Sequence, residues 1–267
     1  MMIVAVDAGN YETKVVNHHG RYSFYSDIGE YRELKLEQEH GHDDMKWEYR
    51  GERGFAGSLA KFESEYGGSM MGDSKYHRDG LLRVLLALHQ YCDDASFKIV
   101  VGQPISSHTQ TEKQRIKEML EGDHTITVNG VKKTIKILNC QVAAEGASAF
   151  WISPCGGCVR ILDIGSGTIN AATIFDRRYV DKDSFTINFG ANSNLTNDVK
   201  EMANAIIRKC HKWNKNDRVW LIGGIAEEIE PYLVDYFKNL EVMKPDGLHS
   251  KWANVLGYYA LASGLYE

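Results

Sequence analysis

The chain has 267 residues and a formal net charge of −5, with 43% hydrophobic and 25% charged residues. That is enough for one large or two small globular domains, and its acidity argues against a protein that grips nucleic acid directly by charge. No apolar run reaches the roughly 20 residues that span a bilayer, and "MMIVAV" has no basic n-region, so a cytoplasmic protein with no membrane partner is expected.

"IVAVD" reads as a buried strand, and "ETKVVNHHGRYSFYSD" and "WEYRGERGFAG" continue as strands joined by tight turns, a meander that begins the fold. Gly57 to His77 is polar and rich in Gly and Ser, which suggests helix and loop near the surface. "DGLLRVLLALHQYC" has apolar residues at helical spacing behind an Asp79 cap. "SFKIVVGQP" reads as a buried strand and "TQTEKQRIKEMLEG" as a capped helix. "HTITVNGVKKTIKIL" alternates on both sides of Asn129-Gly130, a hairpin signal, and "VAAEGASAFW" reads as a helix of small residues. The pattern then restarts. "VRILDIGSGTINAATIFDRRYV" is strand, acid, glycine turn, strand; "SNLTNDVKEMANAIIRKC" is a capped helix. "RVWLIGGIAEEIEPYLVDYF" is strand, double glycine, helix, and "SKWANVLGYYALASGLY" is a closing helix. The chain is thus a weak internal duplication, with one half over residues 1–150 and a second over 151–267.

The five cysteines are an odd number and argue against a disulfide framework. Cys155-Gly-Gly-Cys158 suits either zinc or redox chemistry, or simply a glycine turn into the next strand; Cys92, Cys140 and Cys210 are isolated in sequence and supply no second ligand pair. His18-His19 and "HGHDD" (His40 to Asp44) read as solvated loops.

Two strand ends carry the chemistry: Asp7 followed by Gly9, Asn10, Thr13 and Lys14, and Asp163 followed by Gly165, Ser166, Gly167 and Thr168. Glycines after a strand bring backbone N–H groups close to an anion. Hydroxyl and amide side chains add donors, and Lys14 adds a point charge for phosphate oxygens. The aspartates would repel phosphate but can hold a hydrated Mg²⁺. Two phosphate clamps and two carboxylates fit a nucleoside triphosphate with Mg²⁺ in a cleft between the halves. Each part alone is more often a turn, a solvated lysine or a helix entry. "DIGSGT" is no dinucleotide fingerprint, because Asn170 stands where the third glycine belongs, and there is no P-loop.

In this order and spacing the motifs resemble the actin, Hsp70 and sugar-kinase superfamily of ATPases. "VAVDAGNYETK" and "LDIGSGT" look like its two phosphate motifs and "VWLIGGIAEEI" like its adenosine motif; "VAAEGASAF" and "NVLGYYALA" look like its two connecting helices. Within it, "KIVVGQPIS" and "FTINFGANSNLTNDV" resemble the ParM/StbA group of plasmid-segregation actins. "LTNDVKEMANAIIRKCHKWNKNDRVWLIGG" leaves no room for subdomain IIB, as in the AlfA-like type. The resemblance implies an α/β, actin-like ATPase fold: two RNase H-like halves around a nucleotide cleft, with subdomain IIB absent. It implies that Asp7 and Asp163 hold Mg²⁺ through water and that Gly9, Asn10, Thr13, Lys14 and Gly165 to Thr168 contact the phosphates. Gly223 and Gly224 would flank the adenine or ribose. Glu145 would orient the attacking water, and its position at an expected helix start favours that role over a surface helix glutamate. The implied function is an ATPase, with GTP as well as ATP to be considered, coupled to polymerisation. Self-assembled filaments would segregate plasmid DNA indirectly, through a DNA-binding adaptor. A small-molecule kinase of the same superfamily is the alternative. Trp213, Tyr232 and Tyr236 are candidate filament contacts or core residues.

Overall fold

The computed structural model describes residues 1–36, 38–68, 74–193 and 198–267. The chain divides into two compact units, the first of residues 1–101, 110–142 and 262–267, the second of 102–109 and 143–261.

The first unit is built on β1 (Met2–Ala8), β2 (Glu12–Asn17), β3 (Gly20–Tyr25), β4 (Ile28–Glu30), β5 (Met45–Tyr49) and β6 (Glu52–Ala56). Next come α1 (Ser58–Glu63), α2 (Arg78–Tyr91), β7 (Ser96–Gln103), α3 (Gln110–Leu120), β8 (Gly122–Val128) and β9 (Val131–Ala144). The sheet order is β3-β2-β1-β7-β9-β8-β5-β6-β4. β1 is central: antiparallel to β2, parallel to β7, with Val4 opposite Ile99 and Val6 opposite Val101. A strand flanked on both sides and covered on its faces needs the continuous apolar run that the sequence shows. α2 lies on β1, β2 and β8, and Leu82, Leu85, Leu86 and Leu88 join Val4, Val6, Phe97 and Ile99 in one core. The β8–β9 turn places Asn129 and Gly130 at φ 49° and 79°, and the β5–β6 turn places Arg50 and Gly51 at φ 51° and 79°. Both are the mirror-image turns whose twist suits a hairpin.

Three local expectations are corrected. The opening meander stops at β3, because β5 pairs with β8, Trp47 opposite Val128, and carries β6 and β4 to the far edge. The N-cap of α2 is His77, whose side chain accepts from Gly80 N, with Asp79 inside the first turn. "VAAEGASAFW" is not an α-helix: β9 runs to Ala144, Gly146 turns the chain at φ 74°, and Ala147–Ile152 forms a short 3₁₀ segment. Of the Gly57–His77 stretch, α1 is helix with Leu59 and Ala60 buried, and residues 69–73 lie outside the described residues.

The second unit contains β10 (Cys158–Ile164), β11 (Ile169–Phe175), β12 (Arg178–Tyr179), β13 (Phe185–Ile187), α4 (Val199–Lys209), β14 (Arg218–Gly223), α5 (Ala226–Leu233) and β15 (Asn239–Val242). α6 (Ala253–Tyr266) follows. The order β12-β11-β10-β14-β15 repeats the first unit's motif, an antiparallel hairpin whose first strand runs parallel to the next. One core holds Met202, Ile206, Leu162, Leu221, Ile229 and Phe237; another holds Phe150, Val159, Ile161, Trp220 and Ile222. Alternate residues of β10 and β14 enter different cores, as strand geometry requires. Asp198 caps α4, accepting from Lys200 N and Glu201 N; residues 194–197 of the "FTINFGANSNLTNDV" stretch lie outside the described residues. Residues 210–217 alone join α4 to β14. Trp213 is buried, Tyr236 is half-buried and Tyr232 is exposed.

Candidate functional site

In the first unit the acid turn is set by the β1–β2 hairpin. Asp7 and Lys14 are cross-strand partners, so their spacing of seven in sequence becomes an ion pair, Lys14 Nζ lying 3.4 Å from Asp7 Oδ2. Both are buried. Gly9 is required by a close approach: a Cβ there would stand 2.6 Å from the Glu12 carbonyl oxygen. Ser26 holds the turn from behind. Its hydroxyl donates to the Gly9 carbonyl at 2.6 Å and bonds Thr13 Oγ1 at 2.8 Å, and its amide donates to the Tyr11 carbonyl at 3.1 Å. Fully buried Arg83 donates in turn to the Ser26 carbonyl at 3.1 Å. Thr13 is completely buried on Ser26 and shapes the turn. Asn10 is buried, and buried Lys75 reaches it, Nζ to Oδ1 at 3.4 Å. The turn therefore gathers two lysines and one aspartate.

In the second unit, β10 ends in Asp163-Ile164 and the Gly165–Thr168 turn leads into β11. Gly165 N donates to the Thr168 carbonyl at 3.0 Å, and a Cβ on Gly165 would lie 2.7 Å from that oxygen. Residues 190–193 support the turn: Ala191 N donates to Gly165 O, Asn192 N to Ser166 O, and Ser193 Oγ to Gly167 O. Those carbonyl oxygens, which would repel an anion, are thus held by donors. All four turn residues remain partly exposed. Gly223, at φ 110°, packs so tightly that a Cβ would stand 2.2 Å from the Ile164 oxygen. Gly224 N donates to that same oxygen at 3.3 Å, and Gly224 has open space around its missing Cβ. Ser250 Oγ donates to Gly223 O at 2.8 Å.

Glu145 follows β9 immediately, fixed by its backbone N–H, which donates to the Gln103 carbonyl oxygen at 2.9 Å. Its Oε2 accepts from Asn170 Nδ2 at 3.0 Å. Asn170 Oδ1 accepts from Ile105 N at 3.1 Å and from Thr186 Oγ1 at 2.9 Å, two donors that define which way the amide points. Across the hairpin, Asn170 pairs with Asp163. Asp163 Oδ2 accepts from Asn254 Nδ2 at 2.8 Å, and Asn254 Oδ1 accepts from Gly146 N at 2.9 Å. The circuit Asp163–Asn254–Gly146–Glu145–Asn170 closes on itself. Its four side chains are each at most 9% exposed, which rigidifies two carboxylates at once. Sequence reading missed Asn254 and Lys75 and took Asn170 only as a departure from a fingerprint. The available signal for Asn170 was a lone amide inside the apolar run "INAATI"; Lys75 gave none.

Residues 5–147 match the family described as the actin like proteins N terminal domain. The chain therefore belongs to the actin-like proteins. No curated protein sequence matches it. Among solved structures it resembles an AlfA filament bound to AMPPNP, at 23% identity over 100% of both chains with a TM-score of 0.84. It also resembles the filament structure of AlfA from the B. subtilis plasmid pLS32, at 24% identity over 96% of this chain and 97% of that one, TM-score 0.83. The ADP complex of Ta0583, an archaeal actin homolog, matches at 19% identity over 99% and 100%, TM-score 0.79. These likenesses establish the actin-like fold, and the end-to-end match with an AlfA chain agrees with the absence of subdomain IIB between α4 and β14. Among the described residues no helix is long and apolar enough to cross a membrane.

Proposed function

We propose that this chain is a nucleotide-driven filament protein that segregates plasmid DNA through a DNA-binding adaptor, hydrolysing ATP or GTP. The observation that carries the reading is the closed polar circuit that orders Glu145 and Asp163 beside a glycine turn. Gly9, Asn10 and Lys14, with Gly165 to Thr168, serve as phosphate contacts, and Gly223 and Gly224 border the base or ribose. Asp7 and Asp163 fit Mg²⁺ by their chemistry: hard carboxylate oxygens, each oriented by a neighbouring donor. Such an ion, bound through water, would neutralise phosphate charge. Glu145, held by Asn170, orients a water and accepts its proton. The neighbours agree with this reading, since one is a filament with AMPPNP and another a complex with ADP. If nucleotide state favours one conformation of the subunit and neighbours bind that conformation better, hydrolysis sets filament stability. Head-to-tail contacts that do not close produce open filaments.

Right-angle light scattering with Mg-ATP or Mg-GTP, with phosphate release read in the same sample, tests the proposal. The expected result is a nucleotide-dependent rise, with filaments in negative stain. No rise over a wide protein range, with hydrolysis only on addition of a sugar, would replace it by a small-molecule kinase.

A further inference from the structure

The opening end of β10 carries a second constellation, about 17 Å along the strand from Asp163 by strand rise. Cys155 and Cys158 are both partly exposed, while Cys92, Cys140 and Cys210 are buried. Burial pushes the thiols of Cys92 and Cys210 up to about 11 and about 12, which keeps them inert. The exposed pair is asymmetric. Arg218 Nη1 donates to Cys155 Sγ at 3.1 Å, which sets a guanidinium directly against that sulfur. Cys158 Sγ donates to Asp217 Oδ2 at 3.5 Å, and burial first, with Asp217 adding to it, holds that thiol above its ordinary range. Gly156 and Gly157 join the two, Gly157 at φ 81° and tied to Asp176 by bonds of 2.8 and 3.0 Å. Beside them opens a cavity of about 600 Å³ lined by Gly156, Gly157, Cys158, Asn216, Arg218 and Glu241. That volume accommodates a small peptide-like molecule, and Arg218 offers a partner for its carboxylate. Among the described residues no three His, Cys, Asp or Glu side chains are placed to hold a metal ion there.

We propose that Cys155 and Cys158 form a thiol–disulfide exchange site that takes a low-molecular-weight disulfide of the oxidised-glutathione type. Cys155 gives up its proton to solvent and attacks one sulfur of the small disulfide. That S–S bond breaks, a mixed disulfide forms on Cys155, and the first small thiolate leaves and takes a proton from water. Cys158 then gives up its proton to solvent and attacks the Cys155 sulfur, so that the second small thiol leaves as the Cys155–Cys158 bond forms. Two protein thiols are oxidised, and one small disulfide is reduced to two thiols. Disulfides that form in reducing compartments are typically transient and regulatory, and exposed pairs are the labile ones.

The test uses the reduced full chain with oxidised glutathione, read by intact mass and peptide mapping. The expected product has lost two hydrogens within the peptide bearing 155 and 158. Cys158→Ser should trap one glutathione on Cys155, whereas Cys155→Ser should trap none. Arg218→Gln, which removes the guanidinium from beside the sulfur, should slow Cys155 modification severalfold at neutral pH. No internal disulfide at any glutathione ratio overturns the site. Trapping in the Cys155→Ser variant, or an unchanged rate in Arg218→Gln, overturns the assignment of Cys155 as the attacking sulfur.

Discussion

Glu145 and Asn170 make the most specific demand in the site, because the amide oxygen already accepts two donors and leaves its NH₂ to the carboxylate. Glu145→Ala is expected to leave assembly intact and slow phosphate release by about 10²–10⁴-fold, the range for a positioned general base. Asn170→Ala should lower kcat with KM little changed. It also leaves the Ile105 amide and the Thr186 hydroxyl without that acceptor, at a cost of about 1–3 kcal/mol in urea unfolding. Wild-type phosphate release from either variant would remove Glu145 from the mechanism. Lys75 belongs to the same scale. If its ammonium serves bound phosphate from beside Asn10, Lys75→Met should weaken triphosphate binding by roughly 1.5–3 kcal/mol, the worth of a charged hydrogen bond. Isothermal titration with a non-hydrolysable triphosphate measures this, and equal affinity would leave Lys75 a structural lysine.

Two glycines of one helix separate packing from propensity. A Cβ on Gly257 would stand 2.2 Å from the Ser148 carbonyl oxygen, whereas one on Gly264 meets nothing within 4 Å. Gly257→Ala is expected to destabilise by about 1–3 kcal/mol, and it should loosen Asn254 from Asp163 as α6 shifts. Gly264→Ala should be neutral or stabilising by up to about 1 kcal/mol; thermal melts distinguish the two. At this scale, much of the fold was legible before the structure. Asn129-Gly130 announced its hairpin, and the acid-glycine strand ends announced both β1–β2 and β10–β11, because turn chemistry is local. The segment around Glu145 was misread because Ala143, Ala144 and Ala147 carry no periodicity that separates strand from helix; pairing across the sheet decided it. The cap of α2 passed to His77 because its imidazole, not the Asp79 carboxylate, reaches the Gly80 amide. The pairing of β5 with β8 depends on partners some eighty residues apart, such as Trp47 and Val128, and no local signal specifies it.

For the molecule as a whole, acid should act on the first unit. Burial lowers the pKa of His77, His89 and His124, with nearby Arg83, Lys133 and Arg50 respectively adding to the effect. His124 is neutral with a defined tautomer: Nε2–H donates to the Leu120 carbonyl, so Nδ1 accepts from the Tyr49 hydroxyl at 2.7 Å. The unfolded chain binds these protons near pH 6.5. Stability is therefore complete above about pH 6.5 and falls as pH drops through that value towards the lower folded pKa values. Urea midpoints measured from about pH 8 to pH 5 should decline, and His124→Gln should flatten the decline. An unchanged midpoint in the wild type would show that the unfolded state buries these rings equally.

The chain passes between its two units four times, at 101/102, 109/110, 142/143 and 261/262. The first unit is thus finished by residues that a ribosome adds after it has made the whole of the second. Tyr266, from those last residues, donates its hydroxyl to Asn139 Oδ1 at 2.6 Å and approaches the Ile99 carbonyl at 3.4 Å. At about 5–20 residues per second, a nascent first unit waits on the order of ten seconds for that piece. During the wait Ile99 in β7 and Asn139 in β9 lack their Tyr266 partner, and the incomplete unit is a natural client for a holding chaperone. Loss of residues 262–267 would be felt in the part of the molecule translated first.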